Sequence, residues 1–142
     1  PIHITWAATN RSALIRIPRY TEGNDSAVRC ELRCPDGAAN PYLAFAVMLA
    51  AGLDGIEKKM EVQKPTEEDV YHFTHEDLKK RGIKSVSPNL RVALTELKND
   101  EVIRSVLGEH LFGRYYEAKK AEWKSYIASV TQWELDHYLE TY

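Results

Sequence analysis

The chain has 142 residues, of which 44% are hydrophobic and 28% are charged, and its formal net charge at pH 7 is -2. These values are typical of one globular domain with a buried core, and so small a net charge gives no general attraction for nucleic acids or anionic membranes. The longest apolar run, residues 42–53, is too short to cross a bilayer. We therefore expect no nucleic-acid partner and no membrane partner, and any anion site must be a local cluster of basic residues.

The first part of the chain predicts short strands. Residues 2–7 are rich in strand-forming residue types, and residues 10–17 form a second extended run that ends before a proline. Residues 21–26 have the composition of a turn and lead into a third extended run, residues 27–34. The second and third runs are therefore predicted to pair as an antiparallel hairpin.

The only two cysteines lie on this third run. Cys30 and Cys34 are separated by roughly 13 Å in an extended strand, which is too far for a disulfide bond. They alternate with polar residues, so we predict reduced cysteines on the buried face of the strand. Reduced cysteines favour a cytoplasmic protein.

After residue 36 the pattern predicts helices. Asn40 is a suitable N-cap, Pro41 suits the first helical position, and residues 42–59 are apolar on nearly every side through Leu53, which is typical of a helix buried in a larger body. Further helices are predicted over residues 74–82 (capped by Thr74 and Asp77 and ended by Gly82), 87–97, 99–128 and 132–141.

The predicted fold class is α+β, with short antiparallel strands over about residues 2–34 and a mainly helical remainder. We expect residues 1–142 to form a single unit, in which residues 1–36 carry the functional side chains and residues 37–142 supply the helices.

Charged side chains cluster on the predicted strands. Alternation along an extended chain places Arg29, Glu31 and Arg33 on one face, and Arg11 and Arg16 lie on the neighbouring run. One interpretation is a ladder of cross-strand ion pairs, in which the charges satisfy one another. The other is an anion site, because guanidinium groups bind phosphate and carboxylate oxygens, with Glu31 as a ligand for a divalent cation. Spacing alone leaves both open, although the excess of arginines favours the anion site.

Three linked motifs carry a resemblance to a known family. Asn10-Arg-Ser-Ala-Leu-Ile-Arg-Ile-Pro18 is followed by Arg29-Cys-Glu-Leu-Arg-Cys-Pro-Asp36 and Ala38-Ala-Asn-Pro-Tyr-Leu43. In this order they resemble glutamine synthetase of the bacterial and archaeal type (type I), and the similarity extends over nearly the whole chain. The matching region is the C-terminal part of the catalytic domain.

The resemblance implies an enzyme that joins glutamate and ammonia, with ATP as co-substrate and γ-glutamyl phosphate as intermediate. It implies that Arg11 and Arg16 are catalytic and hold the transferring phosphoryl group, and that Arg29 contacts the nucleotide phosphates. Arg11 and Arg33 would bind the glutamate substrate, and Glu31 would ligate Mg2+ or Mn2+. It also implies a homo-oligomer, a dodecamer in the full-length enzyme, located in the cytoplasm.

The family's other metal ligands and its N-terminal domain precede the matched region, so we expect the isolated chain to be inactive. Two alternatives remain open. One is a γ-glutamyl ligase that uses another amine, such as a polyamine or methylamine. The other is a non-catalytic protein of similar structure that serves an architectural role or binds a regulator.

Overall fold

Four short strands within residues 3–85 form one sheet. A computed structural model describes residues 1–141. The strands are β1 (His3–Ala7), β2 (Ala13–Arg16), β3 (Glu31–Leu32) and β4 (Lys84–Ser85), and their order in the sheet is β3-β2-β1-β4. β2 and β3 are antiparallel, as predicted, and Arg16 lies opposite Glu31. β4 pairs antiparallel with β1 and was not predicted.

One strand pairing differs from the prediction. β1 and β2 run parallel, with His3 beside Ala13 and Ala7 beside Arg16, so the description of all strands as antiparallel is wrong for this pair. Parallel strands usually need a long crossover, whereas only residues 8–12 connect these two. The short connection is stabilised by hydrogen bonds to a segment some 58 residues away, which local patterning does not reveal.

The first helix begins as predicted. It is α1 (Pro41–Glu57), and the side-chain oxygen of Asn40 accepts hydrogen bonds from the backbone N–H groups of Tyr42 and Leu43 at 3.0 and 3.3 Å. Residues 1–141 do not bury this helix, since the side chains of Tyr42 and Phe45 are among its exposed apolar groups.

The remaining helices are α2 (His75–Lys80), α3 (Leu90–Asn99), α4 (Glu101–Ile127) and α5 (Gln132–Tyr138). The predicted capping box of α2 is present, because Thr74 and Asp77 each accept a hydrogen bond from the other's backbone N–H. The predicted stop at Gly82 coincides with a φ of +66°, which favours glycine. An interruption inside α4, where Gly108 has a φ of +68°, was not predicted. Short 3₁₀ turns occupy Asp25–Ala27 and Val70–His72.

The structure groups into two compact units, Pro1–Val86 and Ser87–Tyr142. The first is α+β and contains the sheet, α1 and α2; the second is helical, with α3 packed against α4 and Leu94 buried. The α+β class with mostly helices after the strands is confirmed, whereas a single unit over residues 1–142 stays a prediction. No helix within residues 1–141 is long and apolar enough to cross a membrane.

The buried core of the first unit is small. Its apolar members are Ala7, Ala13, Leu14, Val70 and Ile83. Three residues with hydroxyl groups are buried with them, namely Thr5, Ser12 and Thr66. Each of these hydroxyl groups makes a hydrogen bond.

Candidate functional site

A pocket of about 550 Å³ borders β2 and β3. It is lined by Thr9, Arg11, Arg16, Glu31 and Arg33, so the structure brings together four of the five charged residues that the sequence singled out. Three guanidiniums against one carboxylate leave the lining with a net charge of +2. A concave surface with convergent guanidinium groups suits phosphate or carboxylate oxygens.

Glu31 connects two of the arginines. Arg16 and Glu31 are cross-strand partners, and an Arg16 Nη donates to one Glu31 oxygen at 3.2 Å, while Arg29 Nε donates to the other at 3.0 Å. Partial desolvation raises the pKa of Glu31, but the hydrogen bonds and charges of Arg29 and Arg16 outweigh it and hold the pKa below its usual value. The ladder interpretation thus describes these three residues. Arg29 is not among the residues that line the pocket and meets them through Glu31.

The other two arginines are placed differently. The backbone N–H of Arg33 donates to Leu14 O at 2.9 Å, which continues the β2–β3 pairing beyond β3. Its guanidinium donates to the carbonyl oxygen of Arg11 and, at 3.5 Å, to that of Ala13. The Arg11 guanidinium makes no hydrogen bond or ion pair within residues 1–141, so it faces the pocket with its charge uncompensated.

Residues 8–12, here called the arginine loop, are held by residues 63–70, here called the clamp segment. The Glu67 carboxylate accepts hydrogen bonds from the backbone N–H groups of Ala8 at 2.8 Å and Thr9 at 3.2 Å, and from the Thr9 hydroxyl at 2.7 Å. The hydrogen bond from the Ala8 N–H, followed by that from the Thr9 side chain, lowers the pKa of Glu67. The clamp segment also bonds β1, where the Thr66 N–H donates to Trp6 O at 2.9 Å.

Asn10 and Ser12 complete the hold on the arginine loop. The Asn10 side-chain oxygen accepts from the N–H and the hydroxyl of Ser12 at 2.8 and 2.6 Å, while its amide nitrogen donates to Thr66 O at 2.8 Å. The Ser12 hydroxyl in turn accepts from the Val70 N–H at 3.1 Å. The Asn-x-Ser spacing is a recognisable signal, since asparagine often bonds the backbone two residues on. Nothing local to the loop could have pointed to Glu67.

The described residues do not by themselves fit a divalent cation. Glu31 is the only carboxylate that lines the pocket, both its oxygens are bonded to guanidiniums, and residues 1–141 contain no cluster of three or more potential ligands. A hard cation takes six or more oxygen ligands. Cys30 and Cys34 are free, as predicted, but they are exposed, so their predicted burial is wrong for this chain.

Comparisons with known proteins identify the family. The family described as "Glutamine synthetase, catalytic domain" matches residues 1–138. The chain is similar to the glutamine synthetase of Methanosarcina mazei, with 48% identity over 139 residues, and to that of Thermus thermophilus, with 47% identity over 142 residues. These matches cover 98% and 100% of this chain but 30% and 31% of the two relatives. The chain thus spans about a third of the length of the curated relatives it matches.

Solved structures agree with the sequence comparison. The chain resembles GmaS in complex with ADP, with a TM-score of 0.83 and 37% identity over 99% of this chain and 30% of that one. It also resembles ligand-free GmaS, with a TM-score of 0.77 and 37% identity over 98% of this chain and 30% of that one. The resemblance predicted from the three motifs is confirmed, and the chain belongs to the glutamine synthetase family, of whose catalytic domain it is a part.

Proposed function

We propose that this chain is the C-terminal portion of the catalytic domain of a glutamate–ammonia ligase that uses ATP and forms glutamine, ADP and phosphate. The observation that carries the proposal is the pocket lined by Arg11, Arg16 and Arg33, three guanidiniums against one carboxylate. Phosphoryl transfer depends on holding negative charge at the transferring group, and guanidiniums remain charged at any working pH.

In the proposed reaction, an oxygen of the glutamate side-chain carboxylate attacks the terminal phosphorus of ATP, and ADP leaves. Ammonia then attacks the acyl carbon of γ-glutamyl phosphate, the bond from this carbon to the phosphate oxygen breaks so that phosphate leaves, and the nitrogen loses a proton to give the amide. Arg11 and Arg16 hold the phosphoryl oxygens in both steps. The Arg11 guanidinium makes no ion pair or hydrogen bond within residues 1–141 and is therefore available without breaking an existing ion pair.

The other arginines hold the two substrates. Arg33 binds the glutamate carboxylate together with Arg11, to whose backbone it is already bonded. Arg29, which bonds Glu31 but does not line the pocket, contacts the nucleotide phosphates. Charge-assisted bonds of this kind are stronger than neutral ones and, in a bidentate arrangement, also fix the orientation of the ligand.

Glu31 would hold Mg2+ or Mn2+ only together with further ligands, and the ion would supply positive charge to the phosphate oxygens. The remaining ligands must come from outside this chain, because the described residues supply one carboxylate at the pocket. We therefore propose that the isolated chain is inactive, and that activity belongs to the longer protein as a cytoplasmic homo-oligomer.

The test is an assay of the full-length protein that contains this chain. We expect glutamine and ADP to form from glutamate, ammonia and ATP with Mg2+, and Arg29→Ala to lower kcat/KM by about 10²–10³, as the loss of a charge-holding donor does. The 142-residue chain alone should form no glutamine. If the full-length protein is active and Arg29→Ala leaves kcat/KM unchanged, the proposed role of Arg29 is refuted. If the isolated chain forms glutamine, the proposal that part of the site lies outside this chain is refuted.

A second candidate keeps the phosphate chemistry and changes the amine. It is favoured by the likeness to GmaS, a structural neighbour whose name differs from that of the curated relatives. Replacing ammonia by methylamine or a polyamine in the same assay separates the two, because the preferred amine gives the higher kcat/KM.

A further inference from the structure

Glu67 has no role in the proposed function. Its carboxylate nevertheless makes more hydrogen bonds to the arginine loop than any other side chain of the clamp segment. Its two oxygens accept three hydrogen bonds, from Ala8 N, Thr9 N and Thr9 Oγ1, at 2.8, 3.2 and 2.7 Å. Thr9 lines the pocket next to Arg11. The carboxylate therefore fixes the backbone at the point where the chain enters the pocket wall.

Other residues of the clamp segment fix the chain on either side of Glu67. Thr66 is buried, bonds the Thr5 hydroxyl at 2.7 Å and donates its N–H to Trp6 O, so the residue before Glu67 is fixed to β1. The Val70 N–H donates to the Ser12 hydroxyl, which fixes the far end of the arginine loop. Between these two fixed points, Ala8 and Thr9 have Glu67 as the acceptor of their N–H groups.

We propose that Glu67 is a positioning residue of the phosphate-binding pocket, holding the arginine loop so that Arg11 faces the anion. The inference rests on the proposed function for the identity of the anion, a phosphate group of ATP or of γ-glutamyl phosphate. Glu67 itself does not line the pocket, so it acts through Thr9 and Arg11. The loss of this hold displaces the Arg11 side chain, and a displacement of about 1 Å in a positioned group costs up to about a hundredfold in rate.

The neighbouring carboxylate provides a matched control. Glu68 receives a hydrogen bond from Arg81 at 2.9 Å, and although its backbone carbonyl accepts from the Asn10 side chain, its own side chain makes no hydrogen bond to the arginine loop. Glu67→Gln and Glu68→Gln remove the same charge from adjacent positions. Glutamine at 67 keeps one acceptor oxygen but turns an amide N–H₂ toward donors, so it cannot accept all three hydrogen bonds.

The direction of the change in phosphate binding distinguishes a positioning role of Glu67 from an effect of its charge. Glu67→Gln removes a negative charge near a positive pocket, which on electrostatic grounds alone strengthens phosphate binding. Positioning predicts the opposite, namely weaker binding and a lower kcat. The sign of the change therefore shows which of the two effects dominates.

The experiment uses the full-length protein with Glu67→Gln, Glu68→Gln and the unchanged sequence. We expect Glu67→Gln to lower kcat about 10- to 100-fold with a smaller change in KM, to weaken the binding of inorganic phosphate, and to raise the hydrogen-exchange rates of the Ala8 and Thr9 amides. Glu68→Gln should leave all three within about twofold of the unchanged protein. Equal behaviour of the two variants, or tighter binding of inorganic phosphate in Glu67→Gln, would overturn the inference.

Failure of the proposed function is recognisable separately. If the unchanged full-length protein forms no glutamine and binds no ADP, the ligase assignment fails, while the positioning role is still decided by inorganic pyrophosphate as probe. Weaker pyrophosphate binding and faster amide exchange in Glu67→Gln alone would then sustain it, and equal values in the two variants would reject it.

Discussion

Ser12 joins the buried core of the first unit to the arginine loop, which makes Ser12→Ala an informative substitution. The serine is 3% exposed, and its hydroxyl both donates to Asn10 Oδ1 at 2.6 Å and accepts from the Val70 N–H at 3.1 Å. Alanine removes both hydrogen bonds. Asn10 Oδ1 keeps the Ser12 N–H as a donor, but Val70 is completely buried and its N–H has no second acceptor within residues 1–141.

The expected cost follows from that asymmetry. Leaving a buried donor without a partner costs about 1–3 kcal/mol, whereas the half-buried Asn10 Oδ1 still accepts from the Ser12 N–H. For a unit of the size of Pro1–Val86, each kcal/mol corresponds to a Tm decrease of roughly 4–8 °C. We therefore expect a decrease in Tm of at least about 4 °C and faster exchange of the Val70 amide.

Ser26→Ala is the matched control, because its hydroxyl bonds Asn24 Oδ1 at 2.9 Å in an exposed turn. It should change the free energy of unfolding by less than about 0.5 kcal/mol. The assay is urea unfolding followed by tryptophan fluorescence, together with amide exchange. Trp6, whose indole N–H bonds Gln63 O at the start of the clamp segment, contributes to this fluorescence. If Ser12→Ala unfolds at the same urea concentration as Ser26→Ala and Val70 exchange is unchanged, the bonding between the core and the arginine loop does not stabilise the unit.

Two further predictions concern local stability and pH. Thr74→Ala removes the N-cap of α2 and should lower the free energy of unfolding by about 1 kcal/mol in the same urea assay. The control is Thr95→Ala, which removes a hydroxyl that bonds the carbonyl of Arg91 and should change the free energy of unfolding by less than about 0.5 kcal/mol. Equal effects of the two substitutions would show that the capping box does not stabilise α2. The hydrogen bonds from the side chain and then the backbone of Thr74 lower the pKa of Asp77, so its stabilisation is fully present above the usual carboxyl pKa of 3.8 and is lost as the pH falls below that value. A urea series between pH 6 and pH 3 should show this loss in the unchanged protein and less of it in Thr74→Ala, and identical pH profiles would contradict it.

Local chemistry in the sequence predicted the helix ends and one side of the site. Asn40, Pro41, Thr74 and Gly82 mark helix ends through caps and turns that depend on neighbours within a few residues, and all four occupy the predicted positions. The β2–β3 pairing was predictable for the same reason, since a hairpin is a local structure. In the structure this pairing places Arg16 opposite Glu31, which lies on the charged face of the third strand.

Contacts between distant segments could not be predicted in this way. The parallel pairing of β1 with β2 depends on hydrogen bonds from the clamp segment, and β4 joins the sheet about 80 residues after β1. Glu67 is one of several acidic residues in a polar stretch, and no local pattern separates it from Glu68. Burial was also mispredicted, because alternation predicts which side chains share a face but not whether another part of the protein covers it, as the exposed Cys30 and Cys34 illustrate.

The two interpretations of the charged cluster turn out to concern different residues. Glu31 neutralises one unit of charge and orients Arg16 and Arg29, which is the ladder, while Arg11 and Arg33 have no carboxylate partner within residues 1–141. A cluster whose only role was structural would have little reason to hold the unpaired Arg11 at a pocket wall, since bringing like charges together is unfavourable unless an anion offsets them. Because Arg33 and Glu67 both bond the backbone of the arginine loop, its position is stabilised before any anion arrives. Such preorganisation is what makes fixed charges effective in phosphoryl transfer, and it is the physical basis for assigning the anion-holding part of the proposed ligase site to this chain.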